Sequence, residues 1–491
     1  MVRAIAPEPL ETQMRALCHI PLALTLAAAS PDEIHTTQKD QKALAVTIYN
    51  SDLALVKDQR TVRLPKGDAR LAFQEVSAQI KPETALLRDL TEPKGFWVLE
   101  QNFDFDLLTP EKLLDKYVGR QVTVVSQRPN PDNAGVKEVR ETATVLSTND
   151  GVVLQYPDRI ETGVNGRIIY PDVPANLRAR PTLVIGLHSP AEKAQTLELS
   201  YLTGGLSWKA DYVANLASDD KTLDLSGWVT LTNQSGIAYP DATLQLVAGD
   251  VNRVQPPPQY EMLARMSAGV AAAPSPKMAE QSLFEYHLYT LDRPTTIAAN
   301  QTKQVALLSA SSVPVTKELV LEGQPYYYQS SYGDIGDKLK VGVFVSFDNK
   351  EANHLGMPLP KGIIRVYKQD SEGRAQFVGE DNIDHTPKNE TVKLKLGESF
   401  DVTGHRKQTD YKDLGRDSKR REVSESAYEI RLKNAKKEAA TVIVREPIPG
   451  DWEMVSSSLP FTKPASGTAE FKVPVPAEGE AVLTYRVRVK W

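Results

Sequence analysis

The segments LELSYLTGGLSWKADYVANL (residues 197–216), LDLSGWVTLTNQSG (223–236) and ATLQLVAGDV (242–251) read as three consecutive strand-turn units. In the middle one, Leu223, Leu225, Val229 and Leu231 occupy odd positions and Asp224, Ser226, Thr230 and Thr232 even ones. That is the period-two pattern of a strand buried on one face. Trp228 alone interrupts the polar face. Such a pattern specifies sheets packed on a core, and the stretch contains no catalytic constellation.

Working outward, the same signals recur. Towards the N-terminus, LAVTIY, LALVKD and, after Pro65-Lys66-Gly67, ARLAFQEV suggest a meander. Thr109-Pro110-Glu111 places a cap residue and then Pro at the first helical position, which opens the short helix EKLLDKYVG. RQVTVVSQ, TATVLSTNDGVVLQY with a hairpin signal at Asp150-Gly151, and GRIIYP follow. We expect this block, residues 110–175, to be a small β-barrel inserted in the first domain. Towards the C-terminus, YEIRLK and ATVIVREP are expected to form a hairpin through NAKKEA. In the last strand Leu483, Tyr485, Val487, Val489 and Trp491 share one face.

The 491 residues exceed a single core, and 33 Pro against 28 Gly favour many short strands over long helices. The expected class is all-β: antiparallel β-sandwich domains with the small barrel insert. A first domain is expected over residues 30–195 and a second over 196–491. Residues 256–281, from Pro256-Pro257-Pro258 through an Ala/Ser/Pro stretch, are expected to be a linker or loop. A net charge of -5 lacks the positive footprint that nucleic acid requires.

Cys18, the single cysteine, lies in MRALCHIPLALTLAAAS, where Arg15, an apolar run and Ala27-Ala28-Ala29 resemble a secretory signal with its start at Met14. Cleavage after residue 29 predicts a periplasmic or secreted chain without cysteine and without a transmembrane helix. Its stability would then rest on packed cores rather than disulfides.

YLTGGLSWKADY, GWVTLTNQSG, LVAGDV, GEDNIDHTPKNE (379–390) and EPIPGDW (446–452) resemble the domain-of-unknown-function family number 4139 over residues 196–491. Some of its members are labelled mucoidy-inhibitor-A-like. The resemblance implies a β-rich exported bacterial protein and, through that label, a link to surface polysaccharide. It implies no established reaction and carries no catalytic residues over. The long heptad segment of the mucoidy-inhibitor branch is missing from this chain.

Site candidates therefore come from the residues themselves. His385, with Asp381, Asp384 and Glu390 near in sequence, has the composition for acid-base work, although Asn382, Asp384 and Pro387 are also turn formers. Tyr326 and Tyr328 would share a face of an extended segment and stack on a sugar ring, unless they fill a core. Arg420 and Arg421, with Lys419, would meet an anionic polysaccharide or headgroup, but interleaved Asp417 and Glu422 also suit a solvated hairpin tip. Asp219, Asp220 and Asp224 suggest calcium, with Lys221 against it and a turn as the competing assignment. No GxSxG, Walker A or GxGxxG string occurs, and no cofactor or metal is expected. The expected role is a non-enzymatic envelope binding or structural module whose partner is envelope polysaccharide or another envelope protein. Its rivals are a hydrolase acting on envelope glycan and an outer-membrane barrel.

Overall fold

Alternating burial along Thr222–Asn233 matches the sequence pattern, with Leu223, Leu225, Val229 and Leu231 inside. The computed structural model describes residues 33–129, 136–174, 177–249, 251–252 and 278–491. The expected leader at residues 1–29 and all but the end of the 256–281 segment lie outside the described residues. Residues 278–281 belong to the strand Met278–Leu283 and not to a linker.

The fold is all-β and mostly antiparallel, in sheets of four, five, eight, five and nine strands, none of which closes on itself among the described residues. The four-stranded, the eight-stranded and one five-stranded sheet share one continuous core, which runs from Leu44 to Leu394, includes Phe73, Leu183, Ile185, Leu187, Trp208 and Tyr212, and takes in Phe347, Val392 and Leu394 from one end of the nine-stranded sheet. The nine-stranded sheet encloses a second core around Tyr328, Tyr428, Phe471, Leu483 and Tyr485.

The boundary expected between residues 195 and 196 runs through the strand Lys193–Thr203, which pairs with Leu53–Leu64 and Leu86–Asp89. The division into cores falls later in the chain, because early and later strands complete one another's sheets. Gln41–Tyr49, for example, pairs in parallel with Tyr239–Ala248. The expected meander is also incomplete. Gln41–Tyr49 and Leu53–Leu64 are antiparallel neighbours, but Gly67–Gln74 enters the four-stranded sheet instead. The turn at Pro65 carries the chain from one layer to the other.

Within the expected insert, the described residues between 113 and 170 have a core of their own, around Tyr117, Val122, Val145 and Leu154. Thr109 caps the helix Pro110–Lys116 by accepting a hydrogen bond from the Lys112 amide. Asp150 and Gly151 adopt positive φ in the turn between Val136–Ser147 and Val153–Gln155, as a tight hairpin requires. The unit is an open five-stranded sheet and not a barrel, however. Closure needs the two outer strands to pair, and here Ile160–Thr162 and Arg167–Ile169 lie at opposite edges, each three residues long.

The strand Glu422–Asn434 pairs with Thr391–Arg416 and Gly479–Lys490, whereas Ala440–Pro447 pairs with Thr316–Glu322 and Thr468–Val475. NAKKEA therefore joins two strands that are not neighbours in the nine-stranded sheet, and is an arch and not a hairpin. Buried Asn434 holds it, with Nδ2 donating to the carbonyls of Glu438 and Pro476 and Oδ1 accepting from the Lys436 amide. The same device occurs twice more. Asn233 donates to the carbonyls of Ile237 and Ala298 and accepts from the Ser235 amide. Asn349 donates to the carbonyls of Met357 and Pro387 and accepts from the Gly356 amide. All three asparagines are buried and follow or end a strand whose successor is not its neighbour: after Asn233 and Asn349 the chain enters another sheet, and after Asn434 it enters a distant place in the same sheet. Each supplies hydrogen bonds to main chain that a crossing loop cannot satisfy by strand pairing.

Candidate functional site

The residues singled out in the sequence do not converge. Pro325 starts a single 3-10 turn, Pro325–Tyr328, so Tyr326 and Tyr328 lie on a helical turn and not on one face of a strand. Tyr326 is exposed and packs edge-on against Tyr327 and Tyr332. Tyr328 is fully buried. His385 is half-buried in the turn after Ala375–Ile383, and its Nδ1 accepts from the Lys361 amide. Asp384 and Glu390 are exposed on either side of it, and their main-chain carbonyls serve Thr386 and Asn349. Asp381 accepts from the Asn382 and Lys395 amides.

Arg420 sits at positive φ on the tip between Thr391–Arg416 and Glu422–Asn434. Arg421 is occupied by Asp417 and Asp451. Asp220 likewise binds Lys317 and Lys368, so this turn is neutralised from within the chain.

Tyr328 belongs to the densest polar cluster in the second core. Its hydroxyl donates to Glu446 Oε2 at 2.8 Å and lies 3.0 Å from that of Tyr485. Glu446 Oε1 accepts from Arg406 Nη2 at 2.6 Å, and Arg406 lies over the Tyr327 ring. Both charged side chains are 0% exposed. Burial disfavours the Glu446 anion more than Arg406, Tyr328 and Tyr485 favour it, which lifts its carboxyl above the ordinary glutamate range. Burial also works against the charge of Arg406, but Glu446 and the surrounding tyrosines outweigh it. A guanidinium keeps its proton in proteins, so Glu446 is the member of the pair that titrates. The main chain approaches so closely that a Cβ on Gly323 would collide with Glu446 Oε2. The cluster is sealed from solvent and organises the core.

Beside it, on the nine-stranded sheet, a cavity of about 340 Å³ is lined by Thr409, Ser456, Ser457, Ser458, Thr484 and Arg486. Arg486 is held by Asp410 and Glu425, which leaves the hydroxyls as the chief polar groups of this depression.

The surface feature that stands out chemically lies elsewhere, in residues 86–108. Leu86, Leu90, Trp97, Val98, Leu99, Phe105 and Leu108 are all exposed there. Trp97, Val98 and Leu99 belong to the strand Trp97–Asp104, at the edge of the four-stranded sheet. On its inner side this strand pairs with Thr182–Ser189, with a register shift that leaves Leu99 as a bulge. Trp97 stacks on His188 with ring centroids 4.4 Å apart, and Asp68 holds that ring through Nδ1. The indole is thus fixed in place while half of it faces solvent. The sequence does carry a signal for this surface. Three consecutive apolar residues in a strand cannot all point inward, because successive side chains alternate.

Sheets packed face to face around these cores define an all-β sandwich protein with an apolar sheet edge. The family model described as Domain of unknown function (DUF4139) matches residues 197–491, and the chain belongs to that family. A search of curated proteins finds no match. Among the described residues no helix is long and apolar enough to cross a membrane.

Proposed function

We propose that this protein is an exported binding or structural module of the cell envelope that holds a protein partner on the face formed by residues 86–108. The observation that carries this reading is the concentration of exposed Leu86, Leu90, Trp97, Val98, Leu99, Phe105 and Leu108 in one short segment. Single exposed apolar residues are ordinary, whereas Trp97, Val98 and Leu99 are exposed in succession on one sheet edge, and adjoining exposed apolar residues mark interaction surfaces. Aliphatic side chains beside a free strand edge suit another polypeptide better than a polysaccharide, which needs hydrogen-bonding partners. The signal-like segment at residues 14–29 supports export.

The test is photo-crosslinking in the native host, followed by cell fractionation, with a photoreactive residue at Leu90. The expected result is an envelope-fraction adduct that Leu99→Lys removes. A folded protein that gives no adduct, or one that remains in the cytoplasm with its leader intact, contradicts the reading.

A further inference from the structure

We propose that the partner of the strand Trp97–Asp104 is the same strand of a second copy of this chain. Two four-stranded sheets would then join across a two-fold axis into one continuous sheet. This inference rests on the binding reading above and names its partner.

The strand is hydrogen-bonded on one side only, to Thr182–Ser189, and it ends the sheet order on the other. Its outer main-chain groups form a template for a further strand. The usual devices that blunt an edge are few here. WVLEQNFD contains no Pro, Lys or Arg, and the bulge at Leu99 interrupts only its first part.

Self-pairing is restricted by geometry. If both copies keep their cores on the same side of the joined sheet, the axis is perpendicular to it, and paired residues must have the same parity. An axis through Glu100 sets Glu100 against itself, and an axis through Asn102 sets Glu100 opposite Asp104; both place like charges face to face, which destabilises a pair. An axis through Gln101 avoids this. It sets Glu100 opposite Asn102 and the bulged pair Val98 and Leu99 opposite Phe103; past the bulge the alternation shifts by one, so Trp97 falls opposite Asp104. Phe103 is already partly buried against the core, and Val98 and Leu99 are 36% and 56% exposed. The strand is therefore self-complementary in that register.

The exposed half of Trp97 offers on the order of 100 Å² per copy, since a buried aromatic covers roughly 150–250 Å². That is a fraction of the roughly 800 Å² per partner of a standard interface. Even with Val98, Leu99 and the new main-chain hydrogen bonds, the dimer should be weak and depend on concentration.

The test uses the full chain with Cys18→Ser, which removes the natural thiol, and Gln101→Cys, which places one thiol on the axis. Residues directly opposite in an antiparallel pair have Cα atoms roughly 4.5–5.5 Å apart, within disulfide reach. Mild oxidation should give a covalent dimer that runs at twice the chain mass without reductant, whereas Glu372→Cys on an exposed turn should give little. Sedimentation of the wild type should show a concentration-dependent dimer that Leu99→Lys weakens about tenfold or more, with unchanged circular dichroism. A Gln101→Cys chain that stays monomeric, together with a wild type that is monomeric at every concentration, overturns the proposal. If the Leu90 adduct with another protein persists in that case, the binding reading stands and only the second copy is excluded. If that adduct is absent as well, both fall.

Discussion

Two fully buried arginines, one in each large core, are treated differently. Arg60 binds Asp58 through Nε and Nη2, donates Nη1 to the Thr36 carbonyl, and lies 3.9 Å from the centre of the Phe73 ring. Asp58 in turn accepts from Gln41. Arg406 makes one bond, to Glu446, and its Nε and Nη1 lack a hydrogen-bond partner among the described residues. The first arginine ties a neighbouring segment to its sheet, and its geometry is nearly complete. The second turns most of its donors to nothing but the face of Tyr327, in a pair whose desolvation is poorly offset. Burial of a charge is thus no measure of its contribution. What counts is how many of its donors the fold satisfies.

The largest expected effect follows from removing the carboxylate. Glu446→Leu takes away the one acceptor that the Arg406 guanidinium has and should cost about 3–5 kcal/mol, measured by denaturant unfolding. Asp58→Leu should cost less, because Arg60 retains the Thr36 carbonyl. Equal losses would break the comparison.

Replacing both partners sharpens it. Arg406→Met with Glu446→Leu should cost less than Glu446→Leu alone, because no buried guanidinium is left unpaired and the Tyr328 hydroxyl, though it loses Glu446, keeps that of Tyr485. Arg60→Met with Asp58→Leu should destabilise by about 1–3 kcal/mol, since the Thr36 carbonyl and Gln41 lose their partners.

The asparagine arches provide an intermediate effect. Asn233→Ala or Asn434→Ala should cost about 1–3 kcal/mol through buried carbonyls and amides left without partners. A surface asparagine such as Asn389 should cost little when changed to alanine, apart from the effect of its positive φ.

The smallest effect concerns pH. A carboxyl raised on folding contributes stability that is fully present below its unfolded value of about 4.5 and is lost as pH rises through the folded value. Glu446→Gln removes that titration. Relative to the wild type it should therefore gain stability as pH rises from about 4.5 through the raised value. A relative loss over that window would mean that Arg406 outweighs burial.

Much of the fold is legible in the sequence, and the misses share a cause. Alternation shows which side chains are inside, and it does so for Thr222–Asn233 and for Leu483, Tyr485, Val487 and Val489 in Gly479–Lys490. It does not show which strand lies alongside. Turn signals alone put Gly67–Gln74 and Ala440–Pro447 beside the preceding strand, yet the first joins another sheet and the second takes a distant place in the same one. Trp491, expected to share the buried face, lies past the strand end and is exposed.

The candidate site is less legible for a related reason. Periodicity alone places Tyr326 and Tyr328 on a strand, whereas Pro325 opens a turn that sends one outward and the other into the core. Arg406 and Glu446 are forty residues apart in sequence, on strands that are not neighbours, and meet only in the core that the nine-stranded sheet encloses. The exposure of Trp97, Val98 and Leu99 depends on their strand being last in its sheet, which is a property of topology.

Hydrogen exchange of the main-chain amides of residues 99–103 across a protein dilution series tests the central claim most directly. If this edge is a binding surface closed by a second copy, the amides among them that point away from Thr182–Ser189 are protected at high concentration and lose that protection on dilution, while those bonded to Thr182–Ser189 and those of Thr222–Asn233 stay protected throughout. Exchange of residues 99–103 that does not change with concentration contradicts the account.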